Sequence, residues 1–284
     1  MNGTRRTRSF ETANVKRTQT WIVAGIVGLF FALAMSTQAQ QTSAKANSIE
    51  PLPRDLEIQL ALSALPPHLR DNATVYTLNP SKGFEVARNG SNGFHAFVAR
   101  TGDDTFRGSW AFTRYRDDIL YPISFDEAGA RANMRVFFDA AEMQARGMAP
   151  QQLKALIQER YRTHYYMAPG RAGVSYMMAP ILRTYVNPEN DDSVATSNNP
   201  HVMHYAPNIG NDAIGGATPA PNEMRNFVAH GRWLHSPDPF VITQGPHGFT
   251  IQHLGVTERD AINNEYAEML ARLCRLRDLW CLPN

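Results

Sequence analysis

Apolar residues recur at helical spacing in several stretches of the chain. Met134, Phe137, Phe138, Ala141 and Ala145 form one stripe, with the period of about 3.6 residues that an amphipathic helix requires. Ser124 with Glu127 ahead of it reads as a capping box, in which each side chain answers a free backbone N–H. Gly147 stands where a helix C-terminus favours glycine. Directly after it, Pro150 suits a first helical turn, and Leu153, Leu156, Ile157 and Tyr161 line one face. The two stretches predict a helical hairpin. A further helix is predicted from about Thr257, as cap, to Arg275, with Ile262, Tyr266, Met269, Leu270 and Leu273 as its stripe. Another is predicted over Pro53 to Ala64, where Leu and Ala favour helix although "DLEIQL" also alternates as a strand would.

Elsewhere the pattern shortens. "TVYTL" (74–78), "GFHAFVA" (93–99), "SWAFT" (109–113) and "VSYMM" (174–178) are rich in aromatic and β-branched residues and predict strands. "FVIT" (240–243) and "FTIQHL" (249–254), joined by "QGPHG", predict a hairpin. "NGSNG" (89–93) reads as a second hairpin loop, because its Asn-Gly pairs supply the positive φ of such turns. Residues 187–239 are polar and rich in Pro, Asn and Gly, and read as a long surface loop. Strands cluster rather than alternate with helices. The expected fold class is therefore α+β, a mainly antiparallel sheet with the helical hairpin and a C-terminal helix packed on it.

Composition changes this picture at the N-terminus. The 284 residues carry a net charge of +2, from 28 basic and 26 acidic side chains. Five of the basic residues but only Glu11 of the acidic ones lie in residues 1–39, which leaves 23 basic against 25 acidic, a net of −2, beyond them. A near-neutral remainder offers no nucleic-acid footprint. Within 1–39, Arg5, Arg6, Arg8, Lys16 and Arg17 precede the apolar run Trp21–Met35, and Thr37 and Ala39 supply small residues before a cut. That order is a secretory signal. The run is shorter than the roughly 20 residues of a membrane span, so no span is expected unless the signal stays uncleaved as an anchor. The pair Arg5-Arg6 leaves the choice between general and twin-arginine export open. Residues 40–52 read as a flexible spacer and 53–284 as one domain, periplasmic or secreted. In an oxidising compartment Cys274 and Cys281 are candidates for a disulfide. An unbroken helix would hold their Cα atoms roughly 10 Å apart, so the helix must end between them.

The chain has no phosphate loop, no G-x-G-x-x-G turn after a strand, no H-E-x-x-H helix, no G-x-S-x-G elbow and no C-x-x-C. "NPENDDS" (187–193) imitates a calcium loop but has Asp192 in place of the required glycine. The remaining chemistry is histidine. Six of the nine fall between 201 and 253: His201, His204, His230, His235, His247 and His253. Imidazole suits zinc and copper. "PHVMHYAP" (200–207) is too short between its prolines for a good helix, and as a strand it sends His201, Met203 and Tyr205 to one face and His204 to the other. His247 and His253 share a face with Phe249 and Ile251. His201, His204, His247 and His253 are thus the candidate metal ligands, with Asp212 and Asp238 as the nearest carboxylates in sequence. A second candidate surface is "RGSWAFTRYRDD" (107–118), where Trp110, Arg114 and Arg116 join aromatic and guanidinium groups that grip sugars, aromatic ligands or anions. Met177 and Met178 read as core.

The segments "ALSALPPHLRDNATVYTL", "NGSNGFHAFVAR", "SFDEAGAR" and "PHVMHYAP" together resemble an uncharacterised family of exported bacterial proteins. The resemblance spans most of the chain beyond the signal. It implies one exported domain of bacterial origin and carries over no functional residue. The expected function is binding of a small molecule or a partner; the alternative is a metal-dependent hydrolase or metal-binding protein using histidines of the 201–253 region.

Overall fold

Short β-branched and aromatic runs pair into one sheet, and the helical stripes close over its two faces. The structure is a computed structural model that describes residues 49–101, 114–167, 169–186, 193–205, 240–243 and 249–283. These fall in one compact unit, Ala46–Asn284. The predicted signal stretch 1–39, the predicted spacer up to residue 48, the predicted strand 109–113, residues 187–192 of the predicted loop, Asp212 and Asp238 lie outside the described residues.

The helices are α1 (Arg54–Ser63), α2 (Pro67–Arg70), α3 (Glu127–Ala132), α4 (Met134–Ala145), α5 (Pro150–Arg162), α6 (Val256–Glu265) and α7 (Ala267–Leu276), followed by a 3-10 turn at Asp278–Trp280. The strands are β1 (Thr74–Asn79), β2 (Gly83–Arg88), β3 (His95–Ala99), β4 (Tyr121–Phe125), β5 (Val174–Met177), β6 (Leu182–Tyr185), β7 (Val194–Ser197), β8 (His201–Tyr205), β9 (Phe240–Thr243) and β10 (Phe249–His253). Eight of these form a sheet in the order β2-β1-β3-β4-β5-β8-β10-β9, and β6 and β7 form a separate antiparallel pair. Among the described strands only β1 and β3 run parallel, at Thr74–His95 and Val75–Ala96. The α+β class with a mainly antiparallel sheet is the observed one.

Alternation in β3 divides the core. Phe97 and Ala99 join Phe137, Leu153 and Ile157 of the α4–α5 hairpin on one face. Ala96 and Val98 join Leu56 and Leu60 of α1 and Met269 and Leu273 of α7 on the other. Each fully buried Leu or Phe contributes roughly 1.5–3 kcal/mol through removal from water. Ile49 and Leu52, read from sequence as spacer, are buried as well. They are the apolar residues at the end of a polar stretch, and they pack because α1 begins immediately after them.

Several local expectations need correction. Ser124 is not a helix cap. It lies in β4, buried, and donates to the Tyr176 carbonyl (3.1 Å). Asp126 caps α3 instead, accepting from Gly129 N–H at 2.8 Å. Its second oxygen accepts from Val174 N–H at 3.1 Å, so one carboxylate joins helix to sheet, which a Ser hydroxyl two residues earlier could not reach. Thr257 is inside α6, whose cap is Gly255. The predicted C-terminal helix kinks at Tyr266 (φ −106°, ψ 18°), although the bonds Tyr266 N–H to Ile262 O and Leu270 N–H to Tyr266 O continue through it. "NGSNG" is not a hairpin loop: β2 and β3 do not pair, and the segment carries the chain past β1 from one of its sides to the other. It is fastened there by Ser91 N–H to Asn72 O (2.8 Å) and by Asn92 Nδ2 to Leu69 O (2.8 Å). Gly147 holds as predicted. It has φ +81°, and Met148 N–H reaches Met143 O while Gly147 N–H reaches Gln144 O, the paired bonds of a left-handed helix end. β9 and β10 pair antiparallel, as the expected hairpin requires.

One buried segment gathers the polar connections. Asp118 accepts from Arg116 Nε and Nη2 (2.8 Å each) and from Arg183 Nε and Nη2 (3.0 and 2.6 Å). Burial pushes its pKa up, but these hydrogen bonds and charges outweigh burial and bring it down to about 2. Arg100, 2% exposed, donates to the carbonyls of Ile119 (2.7 Å) and Asp117 (2.6 Å). Arg277 forks onto Asp117 (2.8 and 3.0 Å), and Trp280 Nε1 donates to Asp118 O (2.8 Å).

α7 ends at Leu276 and Arg277 is extended (φ −159°, ψ 121°). The chain therefore turns back, and Cys274 and Cys281 meet at a Cα–Cα distance of 4.4 Å in a disulfide. Closing so short a loop stabilises by about 2.5 kcal/mol on the chain-entropy estimate. Cys274→Ser with Cys281→Ser should lower the urea midpoint by a corresponding amount, and reductant should have no effect on the variant. A parent protein whose midpoint ignores reductant would contradict the bond.

Candidate functional site

The histidine stretch that drew attention in the sequence behaves as a strand. In β8, His201, Met203 and Tyr205 are buried and His204 is exposed. β8 pairs with β10 so that His201 faces His253, Met203 faces Ile251 and Tyr205 faces Phe249. The two imidazoles lie 5.7 Å apart between centroids. Both are tied to Asn199: His201 Nδ1 to its carbonyl oxygen at 2.7 Å, His253 Nδ1 to its Oδ1 at 3.2 Å. A carbonyl only accepts, so His201 carries its proton on Nδ1. Burial holds the pKa of both below the usual histidine range, His253 at about 3, with His201 nearby adding to the effect. His204 points away from this pair, and His247 lies outside the described residues. Among the described residues no three His, Cys, Asp or Glu side chains come together as a metal set.

Of the aromatic–arginine candidate, Arg114 and Arg116 are among the described residues. Arg116 is spent on Asp118. Arg114 is exposed, and Trp110 lies outside the described residues. Tyr115, between the two arginines, donates to Met148 O at 2.7 Å. Met177 is buried, and Met178 packs against the α1 side of the core.

A cleft of about 480 Å³ opens elsewhere, lined by Ala128, Arg131 and Ala132 of α3, Arg135 of α4, and Tyr165, Met167, Pro169, Gly170 and Arg171 of the α5–β5 connection. Its frame is rigid. Asp126 holds α3 to β5, and a Cβ on Gly129 would lie 2.0 Å from Tyr205 Oη; only glycine lets the helix settle on that strand. The α5 end turns through His164 at φ +59°, a left-handed conformation that costs a non-glycine residue roughly 1–2 kcal/mol. It is fixed by Tyr165 N–H to Arg160 O at 2.8 Å. That turn sends Tyr166 into the core, where its hydroxyl donates to Asp139 (2.9 Å) beside Arg160 (Arg160 Nη1 to Asp139 at 2.5 Å). It leaves Tyr165 on the cleft, 41% exposed, next to Met167 at 64%. The Arg135 guanidinium donates to Tyr165 Oη and stands 3.9 Å over its ring; Arg160 stands 4.7 Å from the same ring.

The charge balance singles out this cleft. Arg131, Arg135 and Arg171 are exposed on it. Glu127 pairs with Arg131 at 2.7 Å and more distantly with Arg171 at 3.9 Å. Glu127 also acts on His95, whose Nδ1 lies 3.0 Å from Tyr76 Oη; burial lowers the His95 pKa and the glutamate opposes that. A second hollow of about 410 Å³, lined by Glu50, Leu52, Leu276, Arg277 and Trp280, has its cation committed to Asp117 and Glu50. The sequence carried one legible signal of the arginine cleft. Arg131 and Arg135 are four apart in a predicted helix, and like charges at that spacing are unfavourable. Arg171 and Tyr165 gave none, because a loop's direction is not written in its spacing.

No family model, no curated protein and no solved structure matches the chain.

The buried pair makes acid a test. Both histidine pKa values are depressed in the folded state, so the stability their neutrality provides is present above about 6.5, the ordinary value, and falls as pH drops toward the folded value of about 3 for His253. Glu57, buried and raised to about 7, works oppositely, favouring the fold below 4.5 and losing that contribution as pH rises through 7. A variant comparison removes this second effect. His253→Gln should be less stable than the parent at pH 7.5, and the gap should close by up to about 1.4 kcal/mol per pH unit between pH 6.5 and 4.5. A gap constant with pH, measured by urea unfolding, would refute the buried neutral state.

Proposed function

We propose that this protein is an exported binding domain that holds a small organic anion in the cleft between α3, α4 and the 165–171 connection. The observation that carries the reading is the convergence of Arg131, Arg135 and Arg171, from separate segments, on one hollow with no carboxylate among its described lining residues, while Glu127, outside that lining, pairs with two of them. Guanidinium groups present planar forks of donors that match carboxylate and phosphate oxygens. The exposed Tyr165 and Met167 beside them suit an apolar or aromatic body on the same ligand. Export is supported by the order of charge, apolar run and small residues in 1–39 and by the Cys274–Cys281 bond. It also agrees with the resemblance to a family of exported bacterial proteins, and places the protein in the periplasm or outside the cell.

Calorimetric titration with citrate, benzoate and inorganic phosphate tests the binding. At least one should bind, more weakly at high salt. Arg135→Ala and Arg171→Ala should each weaken it by at least about tenfold, since a hydrogen bond to a charged group is worth roughly 1.5–3 kcal/mol. Arg146→Ala, an exposed arginine paired with Glu142, should leave it unchanged. No heat with any of the three probes would overturn the reading. For export, protein recovered outside the cytoplasm should begin at Gln40 by N-terminal sequencing; a chain retained in the cytoplasm with Met1 intact would exclude it.

A further inference from the structure

Glu127 occupies a position that a counter-ion would take. It opens α3, directly after the capping Asp126. Its Oε1 is 2.7 Å from Arg131 Nη1 and its Oε2 is 3.9 Å from Arg171 Nη2. One carboxylate thus spans two guanidiniums from segments about forty residues apart in the chain. All three side chains are exposed, Arg131 and Arg171 at 63% and Glu127 at 59%. Nothing about burial obliges them to meet. An exposed pair of this kind contributes little to stability, in the range of about 0–1 kcal/mol. The arrangement is therefore cheap to open, and what it does is keep the two cations aimed at one place.

We infer that Glu127 is a resident competitor for the anion site, and that the ligand is a carboxylate which displaces it from Arg131 and Arg171. This rests on the anion-binding reading of the cleft. The bound state would substitute one carboxylate for another between the same two forks. Arg135, held against Tyr165, adds the donor that Glu127 does not use. A ligand carboxylate gains from three guanidiniums, whereas Glu127 reaches two; that difference favours exchange. The glutamate sets a threshold, since a weakly held anion with one short contact does not repay its removal from the pair. It also discriminates by shape: Glu127 turns its two oxygens toward different guanidiniums, an arrangement that a planar, two-oxygen group reproduces.

The test is Glu127→Gln, which keeps shape and removes charge. Glu127 is exposed, so the variant should fold, as circular dichroism and an unchanged thermal midpoint would confirm. Citrate and benzoate affinities should rise by roughly fivefold, the effect of removing one like charge at about 4 Å in water. Inorganic phosphate, which is not planar, should gain less. Glu142→Gln is the charge control: it removes an exposed, arginine-paired glutamate on α4, far along the helix from Arg135, and should change nothing. Equal affinities for the parent and Glu127→Gln, or an equal gain in Glu142→Gln, would overturn the competitor role while leaving anion binding in place. Absence of binding in both parent and variant would overturn both readings together.

Discussion

Asp118 is a buried carboxylate, and burying it is tolerable only because two guanidiniums surround it. Arg116 forks onto it from two residues away, and Arg183 arrives from β6. Its backbone carbonyl takes the Trp280 indole from the C-terminus. The neighbouring carbonyls of Asp117 and Ile119 take Arg100, which directly follows β3. The segment 116–119 is thereby joined to the main sheet, to the small β6–β7 pair and to the last turn of the chain. Removal of one partner from such a group leaves another charged and buried, at a cost of about 3–5 kcal/mol. The chain outward from it depends on the same node: Arg183 Nη1 donates to Thr196, and Thr196 donates to Leu279 O. The disulfide closes just beyond.

With the sheet held this way, the other face is free to present a cleft. The α4–α5 hairpin packs through Phe137, Leu153 and Ile157, which leaves Arg135 at the exposed start of α4. Asp126 and the Gly129–Tyr205 contact seat α3 on the sheet. Tyr205 belongs to the strand whose histidines first suggested a metal site. Its contribution is packing under the cleft, while His201 and the half-buried His253 form a neutral pair across β8 and β10. The protein thus separates its charged groups by task. Those at Asp118 are matched and structural, and Arg131, Arg135 and Arg171 are exposed, with Glu127 paired to two of the three.

Much of the fold was legible. The stripes of α4, α5 and the C-terminal helix and the alternation of β8 follow from period, because side chains on a helix or strand must face where the backbone sends them, and the β9–β10 pairing from the turn-rich spacer between its two runs. Even the disulfide was readable as a condition, that the helix end between Cys274 and Cys281, and Arg277 meets it. β4 was missed because "YPISF" carries a proline and no alternation; buried on both faces, it has no polar side to show. β6 was missed because "LRTY" carries a charged Arg183 whose partner Asp118 is far away in the chain, and β7 because "VATS" lies in the polar stretch 187–239 that reads as a loop.

The candidate site was much less legible than the fold. Arg116, a candidate ligand group, is one of two guanidiniums around the buried Asp118, since nothing local says that Arg183, far along the chain, will complete the set. What the sequence determined by itself was local: which residues share a face, where helices stop, and which N-terminal stretch reads as an export signal. What only the tertiary structure decided was the company each charge keeps. Coulomb interactions act through space, so whether an arginine is committed or available depends on segments that meet only after folding. That is why Arg116 became structure, and why Arg131, Arg135 and Arg171 became the place to look for a ligand.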